Sequence, residues 1–91
     1  MATPLDHEFE VPLRRDEAKG AWTIAVLPGS GELLGTRRPV KVSGLMDGHR
    51  FEATLLPMGD GTHMVPVRAA LRKKVDKGDG DVVRIRLDRK H

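Results

Sequence analysis

The sequence predicts a mainly β protein with one short helix, and three observations support this fold class. Apolar and polar residues alternate in five segments, and this period of two indicates strands with one buried face. Residues that favour turns, such as the pair Asp47-Gly48 and the triplet 59–61, separate several of these segments. Towards the C-terminus, one segment instead repeats its apolar residues at helical spacing.

The predicted strands follow in chain order from their alternating positions. Those positions are Phe9, Val11 and Leu13; Trp22, Ile24 and Val26; Val40, Val42 and Gly44; Phe51, Ala53 and Leu55; and Val83, Ile85 and Leu87. A shorter strand is predicted at 63–65, which brings the total to about six. We expect Trp22 to anchor the core or its edge, and we expect the charged segment 14–20 to form an exposed loop.

A helix is predicted over 67–75, directly after Pro66, a residue that is compatible with a helix start. Its apolar stripe, with the spacing i, i+4 and i+8, consists of Val67, Leu71 and Val75. Gly78 is the expected terminator of this helix. A weaker helical turn is predicted at 31–34.

Two segments, 22–44 and 63–87, share the same order of parts. Each segment consists, in this order, of a strand, a proline, a helical turn, a glycine-containing loop and a second strand. We hypothesise that two such units pair about a pseudo-two-fold axis and close a single barrel.

The motifs that carry a family resemblance extend over residues 8–88. In chain order they are FEVPL, WTIAVLP, RRPVKVSGLMDGHRFEATLLPMGDGTHMVPVRAALRKKV and GDGDVVRIRL. This order resembles the bacterial family known as domain of unknown function 1905. The resemblance implies a small closed double-split β-barrel with one principal helix, a fold shared with AbrB-like and MraZ-like DNA-binding proteins. The segment VPVRAALRKKVDKGDGDVVRIRL is itself similar to the core of AbrB-like modules, with a longer loop before its last strand.

The resemblance implies no catalytic residues, because the family has no established activity. Its members often carry a C-terminal helical segment that this sequence lacks, so a partner protein is one expectation. The sequence leaves open whether the chain is a monomer or a homodimer.

Length and composition narrow the class of protein. The 91 residues predict one domain, over 1–91, with a modest core. The absence of cysteine excludes disulfides, thiolate zinc sites and a cysteine nucleophile. No apolar run approaches the ~20 residues that span a bilayer, and the acidic N-terminus lacks the apolar region of a secretory signal. We therefore expect a cytoplasmic protein without membrane contact.

Positive charge is concentrated in the last quarter of the chain. Residues 1–67 hold seven Lys/Arg and nine Asp/Glu, a net charge of −2, whereas residues 68–91 hold nine Lys/Arg and four Asp, a net charge of +5. A basic patch attracts nucleic acid, although many such residues are only solvated surface. The candidate contact residues are Arg68, Arg72, Lys73, Arg84, Arg86, Arg37 and Arg38. The leading hypothesis is therefore a non-catalytic binding module that contacts nucleic acid.

The acidic stretch VDKGDGDVVRIRL resembles a calcium loop only superficially. Its carboxylates, Asp76, Asp79 and Asp81, are spaced three and then two apart, and Leu87 stands where an EF-hand loop has its bidentate Glu. Strand alternation resumes immediately, so the stretch is predicted to be a joint between a helix and a strand. Asp81 is expected to accept backbone N–H bonds in this turn.

The remaining polar motifs predict no cofactor, metal or catalytic group. PGSGE (28–32) lacks the Lys-Ser/Thr of a phosphate-binding loop, and His63 with Asp60 lacks further grouped zinc ligands. The alternative function is a small-ligand protein or enzyme. Its pocket would be lined by Trp22, Phe51 and His63.

Overall fold

The computed structural model describes residues 3–17 and 22–91 and consists mainly of strands. Within these residues the elements in chain order are β1 Thr3–Asp16, β2 Trp22–Leu27, α1 Ser30–Leu34, β3 Val40–Met46, β4 His49–Pro57, β5 His63–Pro66, α2 Ala69–Val75 and β6 Val82–Lys90. The six predicted strands and the principal helix are confirmed. The weaker helical turn is also confirmed as α1, so the described part of the chain contains two short helices.

The strands form a closed antiparallel barrel in the order β1-β2-β5-β4-β3-β6. Closure comes from the pairing of β6 with both β1 and β3, which leaves neither end of the sheet exposed. The predicted closed barrel is therefore confirmed.

Two strands divide their length between different neighbours. The first part of β1, Thr3 to Pro12, pairs with β6, and its last part, Leu13 to Asp16, pairs with β2. In the same way, β4 pairs with β3 through most of its length and with β5 only at Leu56 and Pro57. This division agrees with the predicted double-split architecture.

The strand order is symmetric between the two halves of the chain. Exchanging β1 with β4, β2 with β5 and β3 with β6 reproduces the same closed ring. Each half then reads strand, strand, helix, strand. The topology is therefore compatible with the predicted pseudo-two-fold arrangement of two units.

Strand alternation places the core inside the barrel as predicted for four strands. The inward positions of β1, β3, β4 and β6 are buried except Ala53, which is partly buried. Leu13, Val42, Leu55, Ile85 and Leu87 are fully enclosed. Each such side chain stabilises the fold by about 1.5–3 kcal/mol relative to an exposed position.

The core-facing set of β2 differs from the expectation for Trp22. Ala25 and Leu27 belong to the core cluster, whereas Trp22 is 46% exposed. Alternation identifies two sets of residues on a strand but does not decide which set faces inward. Trp22 is also the first residue of β2 and pairs with Asp16, the last residue of β1, so it lies where the pairing of these two strands ends.

Two predicted boundaries are corrected by the backbone. Residues Arg14 to Asp16, expected in a loop, continue β1 and pair with β2, while 18–20 lie outside the described residues. The helix α2 starts two residues later than predicted, because Arg68 keeps an extended backbone with φ −72° and ψ 158°. The helix ends at Val75, as predicted, but its terminator is Asp76 and not Gly78, because Asp76 adopts the left-handed conformation and donates its N–H to the carbonyl of Arg72.

Gly44 allows β3 to cross β6 at close range. A Cβ at this position would overlap the carbonyl oxygen of Arg86, and the pairing register shifts between Ser43 and Gly44. A glycine is therefore required where the two strands approach most closely.

Candidate nucleic-acid interface and ligand groove

A groove opens to solvent between β2, β4 and the start of α2. Its volume is about 550 Å³, which lies in the range of small-molecule sites. The lining residues are Trp22, Thr23, Ala53, Thr54, Leu56, Pro66, Val67, Arg68, Ala69 and Arg72. The groove therefore combines an aromatic ring, an aliphatic surface, two hydroxyls and two guanidinium groups.

The start of α2 is held against β2 by the main chain. Val67 is buried, and its N–H donates to the carbonyl of Thr23 at 2.8 Å. Arg68 follows with an extended backbone, and Arg72 comes one helical turn later. Spacing i, i+4 brings the two arginines to the same face of the helix, and both line the groove.

The cations of α2 have no acidic partners in the described part of the chain. Arg68, Arg72, Lys73 and Lys74 are exposed, and none of them takes part in an ion pair with another described residue. Arg72 and Lys73 also line a second, more open hollow, together with Asp76 and Asp81, but neither cation forms an ion pair with these carboxylates. Their positive charge therefore remains available to a ligand.

The candidate arginines of β6 are in a different electrostatic setting. Arg84 lies 3.5 Å from the carboxylates of both Glu8 and Glu10, and Arg86 lies 2.7 Å from Asp6. The register of β1 and β6 places Glu10 opposite Arg84 and Glu8 opposite Arg86. Exposed pairs of this kind add little stability, about 0–1 kcal/mol each, but they offset the positive charge of the strand.

The other two candidate arginines lie away from the groove. Arg37 and Arg38 are exposed on the segment between α1 and β3. The Arg38 N–H donates to Thr36 Oγ1, and its carbonyl lies next to His63. The structure therefore does not bring the seven candidate residues into one surface; only Arg68 and Arg72 line the groove, with Lys73 beside them.

The three residues of the alternative pocket are separated in the structure. Trp22 lines the groove, Phe51 is buried in the barrel core, and His63 is buried beside α1. Sequence reasoning missed Thr54 and Leu56, which face the groove from β4. No signal in the sequence pointed to them, because their role depends on the packing of α2 against β4.

His63 has a structural environment. Its Nε2 lies 3.0 Å from the Arg38 carbonyl oxygen, which can only accept, so Nε2 carries the ring hydrogen. Ser30 Oγ accepts the His63 backbone N–H at 2.6 Å and lies 3.1 Å from Nδ1, to which its hydroxyl donates. Every polar atom of the ring is thus satisfied, and the side chain is only 1% exposed.

The acidic stretch after α2 serves as a joint. Asp79 accepts the Arg15 N–H at 2.8 Å, and Asp81 accepts the Gly78 N–H at 2.9 Å, as predicted for that residue. Asp76 closes the helix through its left-handed backbone. Among the described residues, no group of three or more His, Cys, Asp or Glu side chains is arranged to hold a metal ion.

Two other aspartates act as turn formers, and both have a lowered pKa. Partial burial opposes ionisation of Asp47, but the Arg84 N–H and the Lys77 ammonium, 2.7 Å away, outweigh it and lower the pKa of this carboxyl. Hydrogen bonds from the hydroxyl and the backbone N–H of Thr62 lower the pKa of Asp60. Neither carboxylate lines the groove.

The segment PGSGE follows β2 and includes the first residues of α1, and it contributes to packing. The Gly31 N–H donates to the Gly61 carbonyl at 2.9 Å, and a Cβ on Gly31 would overlap that oxygen. Ser30 is fully buried against His63. The segment therefore has a packing role at the start of α1.

These features define a small closed β-barrel protein with a solvent-open groove of mixed aromatic and basic character. The family model for Domain of unknown function (DUF1905) matches residues 9–87, and the chain belongs to this family. Comparison with curated proteins finds no significant match. In the part of the chain that the structure describes, neither helix has the length and apolar character needed to cross a bilayer.

Proposed function

We propose that the protein is a non-catalytic binding module that contacts nucleic acid through the basic face of α2. The observation that carries this proposal is the difference in pairing between two sets of cations. Arg84 and Arg86 on β6 face carboxylates of β1, whereas Arg68 and Arg72 have no acidic partner among the described residues. Unpaired cations on a rigid element are the groups that neutralise phosphates.

The composition of the groove favours binding over catalysis. Within residues 3–17 and 22–91, those that line it include no Asp, Glu, His or Cys side chain. General acid–base and nucleophilic catalysis depend mostly on these residue types. Arginine, by contrast, stays protonated and presents its donors to phosphate oxygens in a fixed planar arrangement.

The resemblance of the segment from Val65 to Leu87 to the core of AbrB-like modules is a second, independent support. That segment contains α2 and most of β6. A location in the bacterial cytoplasm, where nucleic acid is abundant, belongs to the same proposal.

Two double variants with equal loss of charge test the proposal. Arg68→Gln with Arg72→Gln removes the unpaired cations, and Arg84→Gln with Arg86→Gln removes the same charge from the paired set. Affinity for labelled DNA and RNA is measured by fluorescence anisotropy at about 50 and about 200 mM salt, a range over which phosphate contacts weaken strongly.

We expect the α2 variant to bind about 10-fold more weakly and to lose about two units of salt slope, one for each phosphate contact. The β6 variant should bind within about threefold of the wild type, because its arginines are already neutralised. The proposal is wrong if no nucleic acid binds at the lower salt concentration, or if the two variants lose affinity equally.

A second candidate function is the binding of a small anionic ligand in the same groove. Its volume of about 550 Å³ and its mixed apolar and basic lining favour this alternative. Of the three pocket residues expected from the sequence, it retains only Trp22. A thermal-shift screen of metabolites would detect such a ligand as a rise in Tm that Arg72→Gln abolishes.

A further inference from the structure

Trp22 has an unusual setting for the largest side chain in the protein. It is the sole tryptophan of the chain and is 46% exposed, although most large apolar side chains are buried in the barrel. It lies at the start of β2, and Ala53 and Pro66 line the groove beside it. An aromatic ring exposed at the wall of a groove provides a surface for stacking another ring.

Two guanidinium groups share the groove with this ring. Arg68 and Arg72 line the same cavity, are exposed, and have no ion-pair partner among the described residues. In the described part of the chain, the lining includes no carboxylate that would repel an anion. The groove therefore matches a ligand that has both a flat ring and negative charge.

A single-stranded nucleic acid has this combination at every nucleotide. Its bases are unpaired and can unstack from one another. In proteins that bind single-stranded nucleic acid, stacking of a base on an aromatic side chain contributes substantially to affinity. The bases of a duplex are paired and stacked, so they reach such a groove only after the energetically unfavourable step of flipping out. The combination of ring and cations thus discriminates between the two forms.

We propose that the groove receives an unpaired base on the ring of Trp22, while Arg68 and Arg72 hold adjacent phosphates. This inference rests on the proposed nucleic-acid function and names its substrate as single-stranded. Thr54, an exposed residue that also lines the groove, supplies a hydroxyl for polar edges of the base. Because such contacts are few, we expect little sequence preference.

The experiment uses Trp22 as its own reporter, since the chain contains no other Trp and no Tyr. The full chain is titrated with an oligothymidylate of about 12 nucleotides, a length within the site sizes of single-strand-binding domains. Its duplex with oligoadenylate, an abasic strand of equal length and free thymidine monophosphate serve as comparisons. Tryptophan emission and the anisotropy of a labelled strand are recorded for each.

The inference predicts quenching of Trp22 emission by the single strand and about 10-fold weaker binding of both the duplex and the abasic strand. Trp22→Ala should reduce single-strand affinity about 10-fold and remove the preference over duplex. Trp22→Phe, which keeps an aromatic face, should retain much of that affinity. Circular dichroism of both variants establishes that they are folded.

Three other outcomes overturn the inference. Equal binding of duplex and single strand without a change in Trp22 emission overturns it and leaves the proposed function intact. Binding of thymidine monophosphate as tightly as the strand, with the same quenching, indicates a small-ligand site instead. Failure of every oligonucleotide to bind at about 50 mM salt, where phosphate contacts are strong, overturns both this inference and the proposed function.

Discussion

Each half of the barrel contains a junction where the backbone at the start of a helix, or just before it, donates a hydrogen bond to the other half. At the first junction, the Gly31 N–H of α1 donates to the Gly61 carbonyl just before β5. At the second junction, the Val67 N–H before α2 donates to the Thr23 carbonyl in β2. The same topology thus produces two reciprocal main-chain contacts, one from each half.

The side chains give these junctions different properties. The first junction is filled by His63 and Ser30, which are buried and fully hydrogen-bonded. The second junction is an open groove, with Trp22 half exposed and Arg68 in solvent. One junction therefore adds to the packing of the barrel, whereas the other leaves its side chains open to solvent.

Replacing His63 should lower the free energy of unfolding more than any other substitution considered, because this side chain fills the first junction. His63→Ala leaves a cavity and deprives the Arg38 carbonyl and Ser30 of their partner, so we expect a loss of about 3 kcal/mol in the free energy of unfolding. Urea denaturation measures this change. His49→Ala, at an exposed histidine, is the control and should stay within about 0.5 kcal/mol of wild type. A loss below about 1 kcal/mol for His63→Ala would contradict the stabilising role.

Gly31 tests the close approach at the same junction. Gly31→Ala introduces a Cβ that overlaps the Gly61 carbonyl oxygen, and we expect a loss of about 2 kcal/mol by the same measurement. Gly78→Ala is the matched control, since a Cβ there has no neighbour within 4 Å and its φ is not in the left-handed region. The control should be neutral or stabilised by up to about 1 kcal/mol. Equal destabilisation of both variants would argue against the overlap.

Asp47 provides a reference outside both junctions. Its pKa is lowered below the ordinary value of 3.8, so its charge stabilises the folded state at neutral pH, and that stabilisation is lost as the pH falls through the lowered pKa. Asp47→Asn keeps a residue that tolerates the left-handed turn. It should be less stable by about 0.5–1 kcal/mol at neutral pH, with the gap narrowing near pH 3. Urea denaturation at neutral pH and near pH 3 measures the difference in stability between the wild type and this variant. If the difference is the same at both pH values, it does not come from the charge of Asp47.

Trp22 should have a smaller effect on stability than His63, because about half of its side chain is already in water. We expect Trp22→Ala to lower the free energy of unfolding by about 1 kcal/mol, since the buried half of this large apolar side chain loses its packing. The same urea denaturation used for His63→Ala measures it. A loss comparable to that of His63→Ala would mean that the second junction is structural as well.

The sequence predicted the barrel well because its strands obey local rules. Val83, Ile85 and Leu87 alternate with charged residues, and Asp47-Gly48 forms the two-residue turn that such a pair favours, with Met46 paired to His49. Trp22 is expected to anchor the core or its edge, and its 46% exposure at the start of β2 excludes only the first of these positions. Its position at the edge of β2 depends on which face of the strand the barrel encloses.

The candidate site was less accessible to sequence reasoning. The sequence gives no reason to distinguish Arg84 from Arg68. In the structure, however, Arg84 lies opposite Glu10 of β1 and forms an ion pair with it, whereas Arg68 does not. Trp22 and Arg72 are 50 positions apart, and their convergence depends on the packing of α2 against β4 and on the contact of Val67 with Thr23.

Sequence patterns are therefore enough to predict the alternating strands, the turns between them, the principal helix and the family of this protein. The strands, turns and helix depend on interactions between residues close together in the chain, whose patterns are readable without coordinates. The three-dimensional packing is needed to see which arginines are neutralised, which junction is filled and which side chains share the groove. Those outcomes depend on pairing between distant strands, and no local pattern encodes the register that fixes it.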